Sequence, residues 1–77
     1  MTSPQDTLTY IIQSILPDDS KTTVETRQEN DLTILDISAS SELKGRIIGK
    51  SGRIIKAIRT IVSVSFPDQK ILVKITD

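Results

Sequence analysis

The sequence predicts a small α+β fold in the order α-β-β-α-α-β, with the strands in one three-stranded mixed sheet and three helices packed on one face of it. Three observations predict it. Apolar residues recur at helical spacing in two stretches, residues 8–16 and 54–62. Three other stretches, residues 22–28, 32–38 and 71–75, are rich in Thr, Val, Ile and Leu. All three glycines of the chain, Gly45, Gly49 and Gly52, lie close together and interrupt the helical pattern between the second and third helices.

The first helix is expected over about residues 4–16. Ser3, Pro4 and Asp6 supply a hydroxyl cap, a proline in the first turn and an acid three residues after the cap. Leu8, Ile11, Ile12, Ile15 and Leu16 then form one apolar face, and Pro17, Asp18 and Asp19 end it. Residues 22–28 and 32–38 read as hairpin strands separated by Glu29, Asn30 and Asp31. The second is apolar on both alternations, which suits a central place in the sheet. Ser40 and Ser41 are cap candidates for a short second helix carrying Leu43 and Ile47. A third helix starts near Gly52, with Ile54, Ile58 and Ile61 facing one way, flanked by Ile55 and Val62, and Arg53, Lys56 and Arg59 facing the other. Its end falls before Pro67 and Asp68. Ile71, Val73 and Ile75 mark the last strand, a parallel neighbour of the second through a right-handed crossover.

Composition removes most chemistries. The 77 residues allow a single domain, which buries about 60–65% of its unfolded surface. With no Cys and no His, disulfides, thiol chemistry, the usual zinc ligand sets and nucleophile–His pairs are excluded. The acids are scattered and none sits near the glycines, so no carboxylate pair is placed for acid–base work there. No cofactor and no metal site is expected. The N-terminus has no basic region before an apolar core, and no run approaches the ~20 apolar residues of a membrane span, so no membrane association and a cytoplasmic location are expected.

Net charge is zero but sharply divided. Residues 1–43 carry two cations against eight acids, whereas residues 44–77 carry eight cations against two acids. Lys44, Arg46, Lys50, Arg53, Lys56 and Arg59 have no acid among them and bracket the glycines. The stretch GRIIGKSGR contains Gly-Lys-Ser, but only three residues separate Gly45 from Gly49. A nucleotide-binding P-loop needs four, so that reading fails on spacing. Gly49 and Gly52 instead close a four-residue turn that can take positive φ and let backbone amides approach a ligand. The amides of residues 50–53 lie at the start of the third helix, where the helix dipole, Lys50 and Arg53 favour a phosphate. A plain helix-hairpin turn has the same outline.

The run IIGKSGRIIKAI resembles the signature of the KH domain: two aliphatic residues, G-x-x-G, two residues, then an aliphatic and a basic residue. Ile47, Ile48, Gly49, Gly52, Ile55 and Lys56 fill the signature positions. A helix and two strands precede the helix pair and one strand follows it, which is similar to the type II arrangement. The stretch LKGRIIGKSGRIIKAIRTIV is also similar to the stand-alone bacterial KH proteins of the KhpA (YlqC) family, while the N-terminal 40 residues match in pattern alone.

That resemblance implies a single KH domain over residues 1–77, single-stranded RNA binding and no catalysis. It also implies work as an RNA chaperone or post-transcriptional regulator, as a homodimer or with a larger KH-containing partner of the KhpB (Jag/EloR) type. Such a loop clamps about four nucleotides of backbone. The residues carried over are Arg46, Ile48, Gly49, Lys50, Ser51, Gly52, Arg53, Ile55 and Lys56. Tyr10 and Phe66 are the only aromatic residues, so aromatic stacking platforms are absent and bases must lie on aliphatic surface. Ile48 and Ile55 are candidates for that floor, although isoleucine at helical spacing is more often core, and for Ile55 the core reading leads. Arg59, two turns from the loop, is left to solvent. Binding is expected to be roughly micromolar, low to modest in sequence specificity, and indifferent to RNA or single-stranded DNA as far as the clamp goes. A second reading is a protein-interaction or dimerisation module whose basic face meets an acidic partner, with nucleic-acid binding incidental.

Overall fold

The computed structural model describes residues 3–16 and 21–76. Its elements run α1 (Pro4–Ile15), β1 (Thr23–Glu29), β2 (Leu32–Ser38), α2 (Ser41–Ile48), a 3-10 turn (Lys50–Gly52), α3 (Arg53–Ser65) and β3 (Lys70–Thr76). The expected order is therefore observed. α1 begins with a complete capping box: the Asp6 amide donates to Ser3 Oγ at 3.1 Å and the Ser3 amide to Asp6 Oδ2 at 3.3 Å. Leu16 follows it in extended conformation. The expected stop at Pro17, Asp18 and Asp19 lies outside the described residues.

The hairpin is tighter than the sequence suggests. Glu29 belongs to β1 and pairs with Leu32, leaving Asn30 and Asp31 as a two-residue connection. Asn30 takes the positive φ of 55° that such turns require at their first central position, a conformation Asn tolerates better than most residues. β2 is the central strand, antiparallel to β1 and parallel to β3. The register aligns Leu35 with Val73 and Ile37 with Val24 and Ile75 on the alternation that carries the helices. Gln5 ties α1 to β1, donating to the Val24 carbonyl and accepting from Thr26 Oγ1, each at 2.8 Å.

The core is one cluster between helices and sheet: Leu8, Ile12 and Leu16 from the α1 region, Leu35, Ile37 and Val73 from the sheet, Ile47 from α2, and Ile55, Ile58 and Val62 from α3. Fully burying an aliphatic side chain of this size contributes about 1.5–3 kcal/mol. The other sheet face carries no helix. There Ile34 is aligned with Arg27 and Leu72, and Arg27 donates from Nε to Asp36 Oδ2 at 2.6 Å and from Nη1 to Glu29 Oε1 at 3.1 Å. The bond from Arg27 holds the Asp36 carboxyl below its ordinary pKa, outweighing the opposing effect of burial.

One expectation is corrected. The buried stripe of α3 is Ile55, Ile58 and Val62, whereas Ile54 and Ile61 are 40% and 48% exposed. Five large aliphatic residues within 54–62 sit at spacings that serve two adjacent stripes, and the direction in which the chain leaves the preceding turn selects between them. α3 also continues through Val64, although its last turn is rich in residues of high strand propensity.

Candidate nucleic-acid interface

α2 delivers the loop. Ser40 caps it, with the Leu43 amide donating to Ser40 Oγ at 3.3 Å, and Ile47 anchors it with no exposed surface. Fixing Ile47 leaves Arg46 and Ile48 at the outer side of its last turn, Ile48 39% exposed. The helix ends because Gly49 takes φ 74° and ψ 176°, a region essentially confined to glycine. Space demands glycine as well: a Cβ there would stand 2.6 Å from Cγ1 of Ile54, whose side chain lies over the turn.

The next residues reverse the chain. The Gly52 amide donates to the Gly49 carbonyl at 3.2 Å and the Arg53 amide to the Lys50 carbonyl. Ser51 (φ 57°, ψ 25°) and Gly52 (φ 75°, ψ 16°) are both left-handed, so residues 50–53 form a type I′ turn. The amides of Gly52 and Arg53, expected to be open to a ligand, are therefore spent on the turn. Those of Lys50 and Ser51 enter no hydrogen bond among the described residues. α3 begins with no side-chain cap and no acid in its first turn. A helix start without a carboxylate, flanked by two exposed cations, has the electrostatics of an anion site.

The carried-over residues divide accordingly. Arg46, Ile48, Lys50, Ser51, Arg53 and Lys56 are exposed around the loop, and Gly49 and Gly52 shape it. Ile55 points into the core with 6% exposure and offers no surface for a base. Ile54, which the sequence pattern assigns to the apolar face, is exposed, and its side chain lies against Gly49. The signal that could have found it is a glycine five residues earlier with no room for a Cβ, which needs a neighbour to fill the space. Arg59 is not free in solvent: its Nε and Nη2 both donate to the Val73 carbonyl, at 3.3 and 3.2 Å. No helix among the described residues is long and apolar enough to cross a membrane.

Comparison with known proteins agrees with this geometry. The family model described as "KhpA/KhpB, KH domain" matches residues 5–76. A protein of Treponema pallidum named RNA-binding protein KhpA is 34% identical over 65 residues, covering 84% of this chain and 81% of the relative. Proteins of the same name from Leifsonia xyli and Listeria monocytogenes are 31% identical over 72 residues and 43% identical over 65. They cover 91% and 80% of this chain, and 92% and 86% of their own lengths. No solved structure gives a significant match. The family is not one of enzymes. An α-β-β-α-α-β chain whose helix-joining loop is G-K-S-G, matched by the family model from α1 to β3, belongs to the KH-domain family of KhpA and KhpB.

Proposed function

We propose that this chain is a single KH domain of the type II arrangement that binds single-stranded RNA through the backbone, with the loop at residues 49–52 as the clamp. The observation that carries the reading is the uncapped, acid-free start of α3, where the open amides of Lys50 and Ser51 stand among exposed Arg46, Lys50, Arg53 and Lys56. A phosphate there meets donors and positive charge without a competing carboxylate. The relatives' name, RNA-binding protein KhpA, supports RNA as the ligand. Ile48 supplies exposed aliphatic surface for the bases, whereas Ile55, buried in the core, offers none. Phosphate contacts dominate, so specificity is low to modest and binding is roughly micromolar. The domain works in the cytoplasm as an RNA chaperone or post-transcriptional regulator, paired with a KH-type partner such as KhpB.

Titration of a labelled single-stranded RNA pool, followed by anisotropy, tests the clamp against a variant carrying Lys50→Asp and Ser51→Asp. Asp tolerates the left-handed conformation at residue 51, so circular dichroism should show the fold retained. Binding should be lost. Unchanged binding would move the contact elsewhere.

The interaction-module reading draws on a different observation. Ile54, Ala57, Ile61 and Val64 recur along the exposed side of α3, with Val64 72% exposed. Lys56 and Arg59 lie on another side of the helix from this stripe, so pairing through it leaves them open to RNA. Concentration-dependent mass by light scattering, with and without RNA, separates the readings: assembly that excludes RNA favours the interaction module.

A further inference from the structure

Leu35 and Ile37 of β2 enter the core, so Leu32, Ile34 and Asp36 lie on the sheet face that carries no helix. The register arranges that face in rows. Glu25, Asp36 and Lys74 form one row. Arg27, Ile34 and Leu72 form the next, and Glu29, Leu32 and Lys70 a third. The outer rows therefore begin with an acid on β1 and end with a lysine on β3. All four of these terminal side chains are exposed. Glu25, Lys70 and Lys74 enter no ion pair among the described residues, and Glu29 has only its exposed contact with Arg27. Leu32, Ile34 and Leu72 make the middle of the face apolar, with Leu72 39% exposed.

Charges sorted to opposite edges of one face fit a second copy of the same face. Rotation by half a turn about an axis along the strands lays β3 of one copy over β1 of the other, row on row. Glu25 then faces Lys74 of the second copy and Glu29 faces Lys70, each pair occurring twice. Ile34 meets its own counterpart on the axis, and the Arg27 stem lies over Leu72. The Asp36 carboxylates also approach across the axis, each already neutralised by Arg27 of its own chain at 2.6 Å. The other half-turn, about an axis across the strands, sets β1 on β1 and β3 on β3, acid against acid and lysine against lysine. Packed sheets stand about 10 Å apart, a gap that one glutamate and one lysine side chain close together.

We propose that this open sheet face is a self-pairing surface, joining two copies of the chain face to face with β1 of each over β3 of the other. At roughly 14 by 23 Å the face is small for a stable interface, so the pair is transient and salt-sensitive. The helices and the loop at residues 49–52 lie on the outer layers of such a pair, and each copy keeps its loop open.

Sedimentation equilibrium tests this in an Ile61→Glu, Val64→Glu background, which removes any pairing through the exposed stripe of α3. Between about 10 µM and 1 mM the background protein should rise in mass toward two copies, and high salt should reverse the rise. Glu25→Lys with Glu29→Lys, or Lys70→Glu with Lys74→Glu, should each weaken self-association at least about tenfold. Mixing those two variants should restore pairing. The variant carrying all four changes, its edges exchanged, should self-associate within about threefold of the background protein. A background protein that stays monomeric, reversals without effect, or a four-change variant that folds but does not pair would each overturn the proposal. Circular dichroism checks the folds. If a reversal variant does not fold, Glu25→Gln with Glu29→Gln replaces it: association at least about threefold weaker upholds the proposal, and unchanged association overturns it. RNA affinity is not a readout of this test, so its outcome is independent of the clamp.

Discussion

Replacing each glycine in turn with alanine should produce three different results from the same chemical change. Gly45 lies inside α2, is exposed, and has no atom within 4 Å of where a Cβ would stand. Gly45→Ala should therefore stabilise the protein by about 0.5–1 kcal/mol, the helical penalty of glycine. Gly52 is left-handed, but a Cβ there meets only Ile55 Cγ2 at 4.0 Å, an ordinary contact. Gly52→Ala should cost about 1–2 kcal/mol, for backbone conformation alone. Gly49 combines a glycine-only conformation with a Cβ position 2.6, 2.9 and 3.0 Å from three atoms of Ile54. The backbone contributes about 1–3 kcal/mol and displacing Ile54 from its rotamer about 0.5–1.5 more, giving a cost of about 1.5–4.5 kcal/mol.

Urea unfolding followed by circular dichroism measures all three, with a common m-value as the check that only stability changes. For a domain this small, each kcal/mol moves Tm by roughly 4–8 °C. The clash and the conformation can also be separated. Ile54→Ala removes Cγ1 and Cδ1, two of the three atoms that a Cβ at residue 49 would strike, and leaves the third at 2.9 Å, so the double variant should be less unstable than the sum of the singles by up to about 1.5 kcal/mol. Equal costs at Gly49 and Gly52, or strict additivity with Ile54→Ala, would refute the reasoning about Gly49. Destabilisation by Gly45→Ala would refute the claim that this glycine is dispensable.

Other expectations follow from the same structure. RNA affinity should fall with salt at a slope of about −1.4 to −2.8, for two to four neutralised phosphates, and a steeper or flat line in an anisotropy series would contradict a loop-sized clamp. Ser51→Gly relieves a left-handed non-glycine residue and should leave stability unchanged or raise it by up to about 1 kcal/mol in urea melts. Arg27 holds the Asp36 carboxyl below its ordinary pKa, so that stabilisation is complete above the usual Asp range and is lost as pH falls through the lowered value. Arg27→Gln should remove this share of the acid-side slope of Tm, and an unaltered profile below about pH 4 would count against the pair. Ile61→Glu with Val64→Glu should reduce any concentration-dependent mass in light scattering while RNA titrations stay unchanged.

The order of elements was legible because each rests on local chemistry. Ser3, Pro4 and Asp6 start α1 as their side chains dictate, and Gly49 and Gly52 take the positive φ that their spacing announced. The parallel pairing of β2 with β3 followed from the helices between them. What stayed hidden depends on partners distant in sequence. The register of α3 could not be decided among Ile54, Ile55, Ile58, Ile61 and Val62, because the core side is set by the sheet and α1. Arg59 looked solvated because its acceptor is a carbonyl fourteen residues away on an edge strand. Ile54 looked like core because only the fold places Gly49 beneath it.

The loop lies within the connection between β2 and β3, and both ends of that connection are fixed by neighbouring parallel strands. α2, the turn and α3 cannot open as a separate hairpin without freeing Ile47, Ile55 and Ile58 from the common core. The site therefore has no local unfolding mode of its own: amides in α2 and α3 should exchange with solvent only as rapidly as the whole sheet comes apart. If the loop is the proposed clamp, its backbone is as rigid as the domain, and the mobility needed to fit successive nucleotides comes from the nucleic acid.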